Sequence, residues 1–360
     1  MAQPRIPRLY LIPVLCKALD ILDLLEREKS RVPLEEIFQR VQIPKTTVYR
    51  ILKTLVHRGY LAQSPDGRYH AISRSRKIRF GFASQSAAMP FSEEVTTSLQ
   101  LAATHNGVDL QILDNQYSAD VALENAKKFV ASNVDLVIEF QIDDRVAPRI
   151  GHTITSAGIP LIALGIPHPY AVYFGVDNFQ VGFDAGDYLA QYAIEKWKGK
   201  VDYVVGLEIT EAGSFVQSRV AGAFDGVRRR LPSFPEEGFV RLECSGIRQR
   251  SYSVMEKFLN GHKGAKVLVA AANDTVALGA LRAVRELKLE KFVAIVGQDC
   301  IPEALEEMRA NRGGLVGSVS HETDTYGPRL IQLGLSMLRG NAVPPYNFVG
   351  HQVVTPASLK

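Results

Sequence analysis

Val267-Leu-Val-Ala-Ala-Ala-Asn-Asp-Thr-Val-Ala-Leu-Gly-Ala280 decides the architecture of this 360-residue chain. Residues 267–271 are apolar without polar alternation, which suits a strand buried on both faces of a parallel sheet. Asn273 and Asp274 are favoured helix caps, and a helical apolar pattern follows over 276–287. The same cadence continues outward in both directions. Further apolar strand segments lie at 78–83, 108–113, 134–140, 161–164, 172–176, 201–207, 239–242, 292–296 and 315–319. Helical patterns fall between most of them, among them 119–129, 179–194 and 215–230. Ten such strands over roughly 280 residues predict two doubly wound lobes rather than one.

The segment before residue 78 is different in pattern and in charge. Residues 1–77 hold 15 Lys or Arg against 7 Asp or Glu, a net of +8, whereas the remaining residues hold 27 against 31, a net of −4. A basic head on a mildly acidic body is the footprint of a nucleic-acid-binding module joined to a domain that does not bind nucleic acid. The head reads as three helices and a hairpin. Residues 14–28 place Leu15, Leu19, Leu22 and Leu25 on one face, expected inward. Pro33 opens a second helix with Leu34, Ile37, Phe38 and Val41 inward. A turn at Gln42 and Ile43 leads to Pro44, and a third helix runs from Lys45 to His57, stopping at Gly59. Asp66-Gly67 marks a hairpin turn between the segments 60–63 and 68–72.

On the third helix Val48, Ile51, Leu52 and Leu55 share one face, and Thr46, Tyr49, Arg50 and Lys53 the opposite one. An arginine on such a face can fork onto guanine, while Lys and Thr can meet phosphate. Lys45, Thr46 and Thr47 lie in the first turn, where helix N–H groups favour a phosphate. Arg68 in the hairpin is placed to follow the backbone or minor groove as a wing. Any exposed helix face is polar, so the hairpin and the charge carry as much of this reading as the face does.

The whole segment resembles the winged helix-turn-helix of the IclR family of bacterial regulators. Lys17-Ala-Leu-Asp-Ile-Leu22, Ile43-Pro-Lys-Thr-Thr-Val-Tyr-Arg-Ile-Leu-Lys-Thr-Leu55, Gly59-Tyr-Leu61 and Tyr69 carry the likeness, over about residues 12–72. That family's usual GAF-like effector domain does not follow. The remainder, residues 77–357, resembles instead the type 1 periplasmic-binding-protein superfamily, which also supplies the sensor domains of LacI-type regulators. The matching stretches are Tyr173-Phe-Gly-Val-Asp-Asn178 followed by Gly182, Ser218-Arg219 with Gly222, Ala272–Ala280, Val296-Gly-Gln-Asp299 and Gly317-Ser-Val-Ser-His321.

This second resemblance implies two lobes joined by three crossovers, expected at 176–178, 321–323 and 341–344, with a ligand held between the lobes. Phe91 occupies the place of an aromatic that stacks on a sugar ring; its other reading is core. Phe140 and Gln141 follow the third strand of the first lobe. Arg219 matches a cleft arginine, or is a surface residue of its helix. Asn273 and Asp299 match polar ligand contacts, though Asn273 with Asp274 also suits a helix cap. His321 stands where many members have Gln, and a structural hydrogen-bonding role is its other reading. One departure bears on the ligand. Pentose-binding relatives carry an acidic–basic pair after the fourth strand, where this chain reads Leu164-Gly-Ile-Pro-His168-Pro-Tyr170. A simple pentose is therefore not expected; a different sugar, a sugar derivative or another small polar molecule is.

The expected organisation is a winged-helix domain at 1–72, a linker at 73–77, a first lobe at 78–177 and 322–342, and a second at 178–321 and 343–360. The function expected is a ligand-responsive DNA-binding transcription regulator, a homodimer with operator DNA and a small-molecule effector as partners. No phosphate loop, nucleophile elbow or paired-cysteine motif points to an enzyme, and no cofactor or metal is expected. Cys16, Cys244 and Cys300 are too widely spaced for a disulfide framework. The alternative is an exported solute-binding protein. Arg5 and Arg8 before Leu9-Tyr-Leu-Ile-Pro-Val-Leu-Cys16 superficially resemble a lipoprotein leader, but Pro13 breaks the apolar stretch and Leu15 replaces the small residue cleavage needs. A cytoplasmic location without membrane contact is expected.

Overall fold

The computed structural model describes residues 12–28, 30–41, 43–71 and 77–359. Residues 1–11 of the leader-like stretch, Gln42 of the expected turn and residues 73–76 of the expected linker lie outside the described residues. The chain divides into two compact units between Lys77 and Ile78.

The first unit is built from α1 (Pro13–Arg27), α2 (Leu34–Val41), α3 (Lys45–His57) and a hairpin of β1 (Leu61–Gln63) and β2 (Tyr69–Ala71). Ile21, Leu25, Ile37, Val48, Ile51, Leu52, Leu61 and Tyr69 form its buried core. The expected inward face of α1 is corrected here. Leu15 and Leu19 are exposed, while Leu25 is buried and Leu22 packs on the core as expected, joined there by Ile21. The helix carries apolar residues on two sides, so its period alone does not say which side packs. α3 ends as expected: Gly59 takes φ +70, and Tyr60 N donates to Leu55 O at 2.8 Å, closing the last turn. Gly67 takes φ +81 in the hairpin turn, and Tyr69 also exchanges backbone hydrogen bonds with Val32, sewing the hairpin to the loop before α2.

The second unit holds two six-stranded sheets. The first lobe contains β3 (Arg79–Ser84), β4 (Asp109–Asp114), β5 (Leu136–Glu139), β6 (Leu161–Leu164), β7 (Val172–Gly175) and β13 (Tyr346–Phe348), in the order β4-β3-β5-β6-β7-β13, all parallel. The second contains β8 (Tyr203–Glu208), β9 (Phe239–Glu243), β10 (Val267–Ala271), β11 (Val293–Gln298), β12 (Leu315–Ser320) and β14 (Gln352–Val354), in the order β9-β8-β10-β11-β12-β14. Only β14 is antiparallel to its neighbour in that sheet. The central strands β5, β6, β10 and β11 are buried along their whole length, which is why their sequences are apolar without alternation.

All ten expected strands are present, and β13 and β14 are additions. β13 corrects the expected boundary at 343, because Tyr346–Phe348 pairs with Tyr173–Gly175 of the first lobe. The third crossover therefore lies at 349–351, between β13 and β14, rather than at 341–344. The first falls at 176–177, and the second follows β12 at His321 and Glu322, where Glu322 takes φ +52.

Candidate ligand-binding cleft and nucleic-acid interface

Both sheets reverse their strand order at the same point, between β3 and β5 in one lobe and between β8 and β10 in the other. The loops leaving the carboxyl ends of these strands part there, and open α/β sheets place ligands in that crevice. Gln85 follows β3, Gln141 follows β5, Ile209 follows β8 and Asn273 precedes α10 (Asp274–Glu286) after β10; all four line one cavity of about 110 Å³. That is the same order of size as cavities that hold a single six-membered ring. Phe91, Phe140, Gln141, Arg219, Asn273, Asp299 and His321, the seven residues expected from the sequence, all line it.

Arg219 is set by a close approach of two helices, α7 (Asn178–Trp197) and α8 (Gly213–Arg230). A Cβ on Gly182 would stand 1.8 Å from Arg219 O, and one on Gly222 would stand 2.0 Å from Phe179 O. Bare backbone at both positions lets the helices touch, and this brings Arg219 to the N-terminus of α7. There its Nε and one terminal nitrogen donate to Asn178 Oδ1 at 3.1 and 2.7 Å, and the other terminal nitrogen donates to Ala272 O. Burial holds the guanidinium below the ordinary arginine value.

Asp299 stands on a strained backbone, with φ +99, followed by Cys300 at φ +57. The strain is held by Asp274. Its carboxylate accepts from Ser318 Oγ at 2.8 Å and from Ile301 N at 3.0 Å, and Ser318 Oγ accepts from Cys300 N at 3.1 Å. His321 Nε2 lies 3.0 Å from Gln298 Oε1, and its Nδ1 lies 3.3 Å from Asp299 Oδ1. Burial pushes the Asp299 carboxyl well above the usual carboxylate range, and burial holds the His321 imidazole well below its own. Burial thus disfavours the charged form of each group.

Phe91, at the start of α4 (Pro90–His105), packs edge-on against Phe140, Tyr326 and His321, with ring centroids 6.1, 5.9 and 5.8 Å away. It is half-buried against the core and lines the cavity, so its two readings are not exclusive. The same holds for Asn273, whose Oδ1 caps α10 by accepting from Val276 N at 2.9 Å. Gln141 Oε1 accepts from Asp143 N, which fixes the amide; Nε2 is buried without a partner among the described residues. A buried unpaired donor in a cavity wall is aimed at an acceptor that a ligand would supply.

The lobes meet across the mouth of the cleft. Tyr117 Oη donates to Ser245 O at 3.3 Å, and Asp144 N donates to Glu211 O at 2.9 Å. Sequence reasoning missed Asn178, Tyr173 and Tyr326 among the lining residues. Asn178 was within reach, since it sits four residues before Gly182 in the stretch that carried the resemblance.

In the head, Lys45, Thr46, Tyr49, Arg50, Lys53 and Arg68 are all exposed and Thr47 is half-buried. Lys53 Nζ donates to Gln63 Oε1 at 2.9 Å and lies 5.5 Å from the Tyr49 ring centre, so helix and hairpin share one surface. Lys45 pairs with Glu35, and Arg68 Nε lies 3.4 Å from Asp66. These are exposed pairs of small worth, readily exchanged for phosphate. Thr47 and Arg50 also line a groove against Val14, Leu15 and Ala18 of α1.

Among the described residues no helix is long and apolar enough to cross a membrane, and no group of three or more His, Cys, Asp or Glu could hold a metal ion. Comparison with known proteins agrees with the two-unit reading. The ribose import binding protein RbsB of Escherichia coli is 26% identical over 262 residues, covering 71% of this chain and 82% of that protein. The galactofuranose-binding protein YtfQ of the same organism is 23% identical, covering 64% of this chain and 74% of that protein. Among solved structures, a solute-binding protein of Actinobacillus succinogenes with bound D-allose superposes with a TM-score of 0.67 at 19% identity, covering 79% of this chain and 99% of that one. The myo-inositol binding protein of Caulobacter gives 0.68 at 20% identity, covering 80% and 96%. Neither family that matches is one of enzymes. Residues 14–65 match the IclR helix-turn-helix domain, and with residues 80–342 matching the periplasmic binding protein domain, the chain belongs to that family and carries the helix-turn-helix ahead of it.

Proposed function

We infer that this protein is a cytoplasmic transcription regulator whose two-lobed domain binds a sugar or sugar-like molecule and thereby changes the affinity of the head for operator DNA. The observation that carries the reading is the presence, on one chain, of an IclR helix-turn-helix and a cleft of the sugar-binding type. The ligands that name these relatives, ribose, galactofuranose, D-allose and myo-inositol, are all small polyhydroxylated rings. Phe91, Phe140, Gln141, Arg219, Asn273, Asp299 and His321 hold the ligand; Lys45, Thr46, Thr47, Tyr49, Arg50, Lys53 and Arg68 meet DNA.

The protein acts as a homodimer, because one small head buries little surface on DNA and two-fold pairing reads two half-sites. Exposed Val14, Leu15 and Leu19 on α1 support a second copy. A solute-binding protein of a transporter would have no use for the head.

The test begins with a thermal-shift screen of the purified chain against monosaccharides, polyols and their acids. Genomic DNA fragments are then captured with and without the compound that stabilises it. Enrichment of one or a few discrete sites that changes with the compound supports the reading. Failure to retain any specific fragment in either condition contradicts it.

A further inference from the structure

The cavity is lined by two unlike sets of residues. One set is polar: Arg219, Asn273, Asp299 and His321. In the other, Ile166 of the first lobe meets Ala212 of the second, with Ile209 and Val216 packed against them. All four line the cavity; Ile166 and Ala212 are buried, and Ile209 and Val216 half-buried. Leu164 and Gly165 extend the same wall. Neither Gly165 nor Ile166 has a side chain that can donate or accept a hydrogen bond. Two of the phenols that line the cavity, Tyr117 and Tyr173, give their protons to Ser245 O and Val176 O, which leaves each only an acceptor oxygen. A hydroxyl pressed on the Ile166, Ala212 and Val216 side chains would be desolvated with no partner among them.

We propose that the ligand is a deoxygenated sugar, a ring whose hydroxyls face Arg219, Asn273, Asp299 and Gln141 while a methyl or methylene edge lies on Ile166, Ala212 and Val216. Ile166 and Val216 are the specificity-determining residues. The inference rests on the sugar-binding reading above and narrows it to a chemical class. It gives the apolar wall a purpose beyond closing the lobes: the wall favours the closed form with a deoxy ring beneath it and opposes it with a hydroxyl there.

The test uses the full chain and calorimetric titration with matched pairs that differ by one hydroxyl: D-galactose and D-fucose, L-galactose and L-fucose, L-mannose and L-rhamnose, D-glucose and 6-deoxy-D-glucose. In the pair whose ring configuration fits, the deoxy member binds roughly tenfold to a hundredfold tighter, the discrimination a hydrophobic pocket achieves against an added hydroxyl. Ile166→Asn narrows or inverts that ratio, and so does the nearly isosteric Val216→Thr, which guards against misfolding of the first variant. Tighter binding of the hydroxylated member overturns the inference and leaves the sugar-binding reading standing. An unchanged ratio in both variants, each folded by circular dichroism, also overturns it. Binding of no member of any pair, nor of any other sugar, overturns both.

Discussion

Arg219 donates two hydrogen bonds to a single oxygen, Oδ1 of Asn178, at 2.7 and 3.1 Å. Asn178 is the first residue of α7 and is buried, so the amide is a fixed bracket that aims the guanidinium at the cavity. Asn178→Ala leaves the arginine present and unaimed. Hydrogen bonds to charged groups contribute about 1.5–3 kcal/mol, so ligand affinity falls by roughly tenfold to a hundredfold. Calorimetric titration reads the loss, and operator affinity of the ligand-free protein stays unchanged. Undiminished ligand affinity would show that Arg219 needs no bracket.

The helix pair that brings Arg219 to Asn178 depends on missing side chains. Gly182→Ala places a methyl 1.8 Å from Arg219 O, an obstacle made of backbone that cannot rotate away. Overpacking of this kind costs about 1–3 kcal/mol or more, and a melting temperature several degrees lower is expected by scanning calorimetry. Ligand affinity falls with it, because the shift moves Arg219. A variant that melts with the wild type would show that the helices have room to part.

Glu139 makes the stability of the sensor unit pH-dependent. Burial pushes its carboxyl up to about 8, against the hydrogen bond from Asn115 Nδ2 at 2.9 Å, and its second oxygen has no partner among the described residues. The native state thus keeps a proton that the unfolded chain releases near the ordinary glutamate value. The contribution is complete below that ordinary value and is lost as pH rises towards 8, with a slope of at most about 1.4 kcal/mol per pH unit. Glu139→Gln mimics the protonated form at every pH. Its melting temperature relative to wild type therefore rises between pH 5.5 and pH 8; a constant difference would contradict the assignment.

The head offers two contrasting substitutions. Arg50→Ala relaxes base preference and costs about 1–3 kcal/mol if the fork onto guanine is made. Lys53→Ala weakens all sequences alike and lowers the salt slope by about one. Gel-shift titrations at several salt concentrations separate the two. Unchanged affinity and preference in both variants would remove α3 from the groove.

The doubly wound lobes were legible because buried parallel strands are apolar along most of their length, as 267–271 and 292–296 are. β13 and β14 were not, because three-residue edge strands lack the length for a pattern, and Tyr346 and Phe348 are exposed. α1 misled because Leu15 and Leu19 look as inward as Ile21 does. The polar end of the cleft was legible because residues at strand ends converge there. The apolar wall was not: Ile166, Ala212 and Val216 come from separate stretches of both lobes, and an apolar residue bears no mark that separates a ligand wall from ordinary core.

In the proposed function, ligand and operator share one equilibrium. Closure can change DNA affinity only by the ligand's differential binding to the two forms, and the coupling is reciprocal. The direct measurement is calorimetric titration of the stabilising sugar into the protein alone and into its operator complex. Dissociation constants that differ by about 5–150-fold are expected, the same factor by which saturating sugar changes operator affinity. Asp299→Ala abolishes the sugar response while the ligand-free protein keeps its operator affinity. Equal sugar affinity in the presence and absence of operator would contradict the account, even if the head binds DNA.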